Sequence, residues 1–182
     1  MTSYCDIAPG HPFHGPYHDR EYGFPVRSDD ALFERLVLEI NQAGLSWLTI
    51  LKKRDGFRDA YKDFEIARVA RMKPERLLAH AGIIRNRLKV AAAIENARRL
   101  KKIGSFADWL DANHPLTKDE WVKLFKKTFV FTGGEITGSF LMSVGYLPGA
   151  HEERCPVYAR VLAAGPPWSG GRPRPPAARK RG

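Results

Sequence analysis

The chain has 182 residues, 43% of them hydrophobic and 11% aromatic, so it is long enough for one domain with a real core. Its formal net charge is +10, which suggests a polyanionic partner. No apolar run approaches the ~18 residues of a bilayer span and no signal-peptide pattern opens the sequence, so the expectation is a soluble, intracellular protein of the cytoplasm. Half of the charge excess, Arg172, Arg174, Arg179, Lys180 and Arg181, lies in the last stretch, which holds no acid.

In chain order, Pro9, Gly10, Pro12, Gly15 and Pro16 leave the first two dozen residues with few helix signals. Helical patterning begins after Ser28-Asp29-Asp30, an acidic group suited to a helix N-terminus, and places Leu32, Phe33, Leu36, Val37 and Ile40 on one stripe. Ser46 caps a second helix through about Arg54, ended by Asp55-Gly56, and short helical segments fit 57–62 and 65–71. Pro74 opens another to about Ala81; a tight link at Gly82–Arg87 leads into a longer helix through about Lys101. Ser105 and Thr117 open two more, Thr117 with Glu120 forming a capping box. A last helix runs from about Gly134 to Val144. Strand alternation is absent.

The expectation is an all-α fold, a compact bundle of short helices over residues 1–162. From about Ala163 the composition turns to Gly, Pro, Ala and Arg, and residues 163–182 read as a disordered basic tail.

Three sets of residues carry chemistry. Glu39 falls at the edge of the apolar stripe, beside Leu32, Leu36 and Ala43, and is followed by Gly44-Leu45-Ser46-Trp47. That arrangement suits a pocket wall; it also suits an ordinary helix-end Glu beside a core Trp. Cys5 and Cys155 each have a histidine at metal spacing, His18 and His151. Together they make the Cys2His2 set of a structural zinc site that would clip the N-terminal arm to the C-terminal segment. Two unrelated buried thiols, or a disulfide, are the alternatives, and an intracellular setting disfavours the disulfide. The third set is Gly82 between two helices with Arg85, Arg87 and Lys89 beside it. It has the layout of a helix-hairpin-helix whose amides hold a phosphate, or of a common helix-Gly-helix turn.

Together these stretches resemble the 3-methyladenine DNA glycosylase I family of helix-hairpin-helix repair enzymes. The resemblance rests on Tyr17–Gly23, on Leu38-Glu39 with Gln42–Trp47, and on Ile50–Arg54 and Ala81–Arg87. Asn96-Ala97, Leu124–Lys127, Phe129–Gly133 and the His151/Cys155 pair complete it.

It implies a base-flipping, monofunctional enzyme that hydrolyses the N-glycosidic bond of 3-methyladenine in double-stranded alkylated DNA and leaves an abasic site. It further implies a monomer with one structural zinc on Cys5, His18, His151 and Cys155. Glu39 matches the catalytic pocket carboxylate. Tyr17 and Trp47 match aromatics around the flipped base, with Tyr22 able to stack where the family usually has Trp. Gly44 and Leu45 match the loop that enters the duplex, and the hairpin around Gly82, with Arg85 and Arg87, matches the phosphate anchor. Ile7 and His14 stand where the family has aromatics, and Asn41 where it has Gln. A non-catalytic, zinc-stabilised lesion sensor on the same fold is the alternative.

Overall fold

The computed structural model describes residues 2–170, which form eleven α-helices and one 3-10 turn with no strand among them. The centre is α3 (Asp29–Gln42), which packs against α4 (Trp47–Ala60), α7 (Arg87–Ile103), α8 (Phe106–Asn113) and α10 (Gly134–Ser143). Its two ends are set by different chemistry. Ser28 accepts the Ala31 N–H at the N-terminus, and Leu32, Phe33, Leu36, Val37, Leu38 and Ile40 behind it are fully buried. At the other end the chain leaves the helix at Ala43, and Gly44 turns it at φ +78°.

Side-chain caps open the later helices, at Ser46, Ser105 and Thr117 as expected and at Asn86 in addition. Ser46, Asn86, Ser105 and Thr117 each accept a backbone N–H three residues on, opening α4, α7, α8 and α9 (Lys118–Thr128). Glu120 closes the capping box on Thr117. Between them α5 (Ile66–Val69) and α6 (Pro74–Leu78) pack on α7. An aromatic cluster of Phe106, Trp109, Trp121, Phe125, Phe129 and Phe140 closes the core between α8, α9 and α10.

The structure departs from the sequence reading at both ends and at α4. The N-terminal arm is helical, with α1 (Tyr4–Ile7) and α2 (His14–Arg20). Its prolines do not break it, because Pro16 sits in the first turn of α2, where no intrahelical N–H is lost. A further helix, α11 (Pro156–Ala163), follows Cys155, with Pro156 at its first position. Beyond it the chain stays ordered as far as described: Pro166 and Pro167 are buried, and the Trp168 N–H donates to the Gly145 carbonyl at 3.2 Å. The rest of the expected tail, residues 171–182, lies outside the described residues.

Helix α4 does not end at Asp55-Gly56 but runs on to Ala60, burying Phe57 and Ala60. Gly56 is there for close approach. A Cβ on it would lie 2.4 Å from the Gly82 carbonyl oxygen, a backbone atom that cannot swing aside. Alanine gains about 1 kcal/mol of helix propensity, but overpacking costs about 1–3 kcal/mol and moves the 82 turn. Gly56→Ala is therefore expected to lower stability in denaturant melts; an unchanged or raised midpoint would contradict this packing.

Gly82 itself is a correction. It does not lie in the left-handed region, and its N–H donates to His80 Nδ1 at 3.0 Å while His80 Nε2 meets Asp59 at 2.8 Å. Its backbone is pressed on Gly56 rather than opened toward a ligand.

Candidate active site

Six segments converge on one cleft of about 450 Å³. Helix α3 contributes Glu39 and Gln42, the start of α4 Trp47, α2 Tyr17, the turn after it Tyr22, α1 Tyr4, and α10 Ser139. Of the pocket residues expected from sequence, Tyr17, Tyr22, Glu39 and Trp47 all line this cleft. Tyr4, Gln42 and Ser139 were missed. Tyr4 carried the one legible signal, an aromatic directly before a candidate metal ligand.

The rings meet mostly edge to face. Tyr17 and Trp47 lie 5.1 Å apart between centroids at 60°, and Tyr4 and Tyr22 5.4 Å apart at 87°. Of the two non-aromatic departures, Ile7 is exposed, and His14 places Nδ1 3.1 Å from the Tyr4 hydroxyl oxygen. Tyr4 thus supplies an aromatic wall from a helix not expected in the arm.

Glu39 is only 5% exposed, and among the described residues no hydrogen-bond donor meets its carboxylate. Burial pushes its pKa up to about 8, with the Arg35 cation pulling the other way. A carboxyl in this state is protonated in the empty cleft at neutral pH and ready to ionise when a cation enters.

Behind the cleft runs an ion-pair chain. Arg35 reaches Glu21 at 2.8 Å, Arg54 reaches both Glu21 and Glu34 at 2.8 Å, and Arg58 reaches Glu34 at 2.8 Å. Burial alone would raise the Glu21 and Glu34 carboxyls; their arginine partners more than offset it and hold both below the usual range. Arg35 is buried, with its guanidinium 5.0 Å from the centre of the Tyr17 ring and Nη1 3.4 Å from the Tyr17 hydroxyl. This chain fixes Tyr17 against α3.

The four candidate ligands come together. The Cys5 and Cys155 sulfurs, His18 Nε2 and His151 Nδ1 cluster within 4.8 Å of one another. Sulfur–nitrogen separations are 3.7–3.8 Å, close to the ~3.6 Å expected between neighbouring tetrahedral donors with bonds of about 2.3 Å to sulfur and about 2.0 Å to nitrogen. The remaining ring nitrogens are also engaged: His18 Nδ1 lies 2.7 Å from Asp19, and His151 Nε2–H donates to the Tyr22 carbonyl at 2.7 Å. The donor set, spacing and outer partners fit a closed metal site.

The surface beside the cleft holds the remaining residues. Leu45 is exposed at the tip of the α3–α4 loop, next to Gly44, and Arg85 and Arg87 are exposed ahead of and at the start of α7. Lys89 is not a surface charge as its neighbours are; it is buried. A groove continues from the cleft, sharing Glu39, Gln42 and Ser139, to Gly133 and Gly134 at the start of α10. There α9 and α10 are joined by a five-residue hairpin, 129–133, with Phe131 left-handed at φ 62°. Asn96 clamps that hairpin, accepting from the Val130 N–H at 2.7 Å and donating to its carbonyl at 3.0 Å.

The protein is thus an all-helical bundle with a buried carboxyl in an aromatic cleft. Comparison with known proteins identifies the family. Residues 8–120 match the methyladenine glycosylase family model. The chain is 35% identical to the DNA-3-methyladenine glycosylase of Haemophilus influenzae, covering 86% of this chain and 98% of that one. It is 36% identical to DNA-3-methyladenine glycosylase 1 of Escherichia coli, with 85% and 96% covered. A crystal structure of a 3-methyladenine DNA glycosylase I variant in complex with 3-methyladenine superposes with a TM-score of 0.76 at 32% identity, over 85% of this chain and 96% of that one. The chain belongs to the methyladenine glycosylase family.

Proposed function

We infer that the protein is a DNA repair glycosylase that hydrolyses the N-glycosidic bond of 3-methyladenine in alkylated double-stranded DNA. It acts as a monofunctional enzyme on a flipped nucleotide and leaves an abasic site. The observation that carries this reading is Glu39, a carboxyl buried without a partner on the wall of an aromatic cleft.

The chemistry follows from the substrate's charge. A base in the stack is out of reach and must be extruded, at a cost of a few kcal/mol. Leu45, exposed on its turn, fills the vacated gap and offsets part of that cost. N3-methylation makes the base a cation and already a good leaving group. The faces of Tyr17, Tyr22 and Trp47 attract it by about 0.5–2 kcal/mol relative to neutral adenine. The arriving cation draws Glu39 into its ionised form, and the carboxylate then accepts from the exocyclic amine or orients the attacking water. It also opposes the positive charge that develops on the sugar as the bond breaks.

For the DNA backbone, two features support the α9–α10 hairpin as the phosphate-holding element of a helix-hairpin-helix in place of Gly82. No side chain caps α10, and a Cβ at Gly133 or Gly134 would meet nothing within 4 Å. Exposed Lys126 and Lys127 close α9 beside it. The metal proposed for the Cys5–His18–His151–Cys155 cluster is a structural zinc: a closed set of two thiolates and two imidazoles leaves no position for substrate. No described helix is long and apolar enough to cross a membrane, and a monomer acting on intracellular DNA is the form proposed.

The test is direct. Incubated with methylated duplex, the protein is expected to release free 3-methyladenine and leave alkali-labile abasic sites in otherwise unbroken strands. Duplex binding without base release would support the lesion-sensor alternative instead.

A further inference from the structure

Lys89 has no part in the pocket or the metal cluster, yet it is 6% exposed and, among the described residues, pairs with no carboxylate. Its ammonium donates to the Asn41 carbonyl at 2.8 Å and to the Ala43 carbonyl at 2.6 Å. These are main-chain carbonyls at the end of α3, where the helix has no further N–H to offer them and where a cation is favoured. Gly44 and Leu45 follow at once. The Leu45 N–H folds back onto the Gln42 carbonyl at 2.7 Å, so the loop tip is held to the segment that Lys89 grips.

Burial of the ammonium is costly and lowers its proton affinity, so a lysine here needs a compensating use. The helix that carries it supplies the second half. Lys89 lies in the first turn of α7, and the residues just before it, Arg85 through Leu88, are all exposed, Leu88 at 70%. The side chain thus spans from a turn rich in exposed cations to the base of the loop that enters the duplex.

Resting on the glycosylase reading, we propose that Lys89 is a positioning residue. It braces the Gly44–Leu45 loop against the start of α7, so that the force of unstacking a base is taken by a rigid support. Without the brace the loop yields, and extrusion of the base suffers while the pocket stays intact. Methionine at this position keeps the length and apolar stem but leaves two buried carbonyls without their donor.

Single-turnover excision is compared on two substrates: 3-methyladenine in a fully paired duplex and the same lesion in single-stranded DNA, which needs no wedge. Free 3-methyladenine binding, read by the change in tryptophan fluorescence, is measured alongside. Lys89→Met is expected to slow duplex excision at least tenfold, slow single-strand excision less than threefold, and bind the free base within twofold of wild type. Lys89→Arg, which keeps a cation and donors, is expected to recover most of the duplex rate. Equal losses on both substrates, lost base binding, or a Lys89→Arg protein as slow as Lys89→Met would overturn the brace, as would a duplex rate within twofold of wild type. Wild-type protein that releases no base from either substrate would refute the glycosylase reading itself.

Discussion

Replacing Glu39 by Gln is expected to cut excision of 3-methyladenine at least about a hundredfold, the scale on which a positioned acid–base group acts, and at the same time to stabilise the protein at alkaline pH. The two effects share one cause. Buried in the cleft, the Glu39 carboxyl is pushed up to about 8, whereas an unfolded chain releases that proton near 4.3. The folded state therefore holds the proton more tightly, and its advantage is fully present below about pH 4.3. As pH rises the unfolded chain ionises and the folded one does not, so stability is lost through that window until the folded carboxyl also ionises near 8. The cumulative loss is on the order of 5 kcal/mol. Gln loses nothing over this range. Thermal melts should put the variant level with wild type at pH 4.5 and several degrees above it at pH 8.5. A variant no more stable at pH 8.5 than wild type would mean that Glu39 is partnered or solvated. The excision rate should carry the same signature, rising with pH toward 8 in wild type and flat in the variant.

Loss of the proposed metal is expected to disable the pocket without touching a residue in it. Tyr4 precedes Cys5 in α1, Tyr17 precedes His18 in α2, and the Tyr22 carbonyl receives the His151 Nε2–H. Three of the four aromatic walls therefore hang on the cluster, whereas Glu39 and Trp47 belong to the α3–α4 core. Cys155→Ser should drop the metal content from the proposed one zinc per chain to near zero and free the arm from α11, at a cost of several kcal/mol. Most helicity should remain, because the core between α3 and α10 does not include the arm. Affinity for free 3-methyladenine and excision should fall together by at least about tenfold. Metal-free protein with unchanged base affinity and an unchanged melt would contradict the assignment.

What was legible in the sequence was what depends on local chemistry. The caps at Ser28, Ser46, Ser105 and Thr117 are side-chain events within three residues, and each opened the helix it announced. Composition and spacing also brought Cys5, His18, His151 and Cys155 together although more than a hundred residues separate the two pairs. What was not legible depends on tertiary partners. Asp55-Gly56 has the local signature of a helix end, and only the approach of the 82 turn explains why α4 continues through it. Gly82 has the look of an open phosphate loop, and only His80 and Gly56 reveal that its backbone is already engaged. Lys89 is one of a row of cations until the end of α3 is seen beneath it. The arm's helices were hidden by prolines that fall in tolerated positions.

The most direct measurement is chromatography of the purines released from methylated duplex DNA, run with wild type and Glu39→Gln side by side. Wild type is expected to release free 3-methyladenine with little 7-methylguanine, and the variant to give near-background release at equal duplex affinity. Undiminished release by the variant, or release of 7-methylguanine in proportion to its abundance, would contradict the claim that a buried carboxyl in an aromatic cleft selects and frees the lesion.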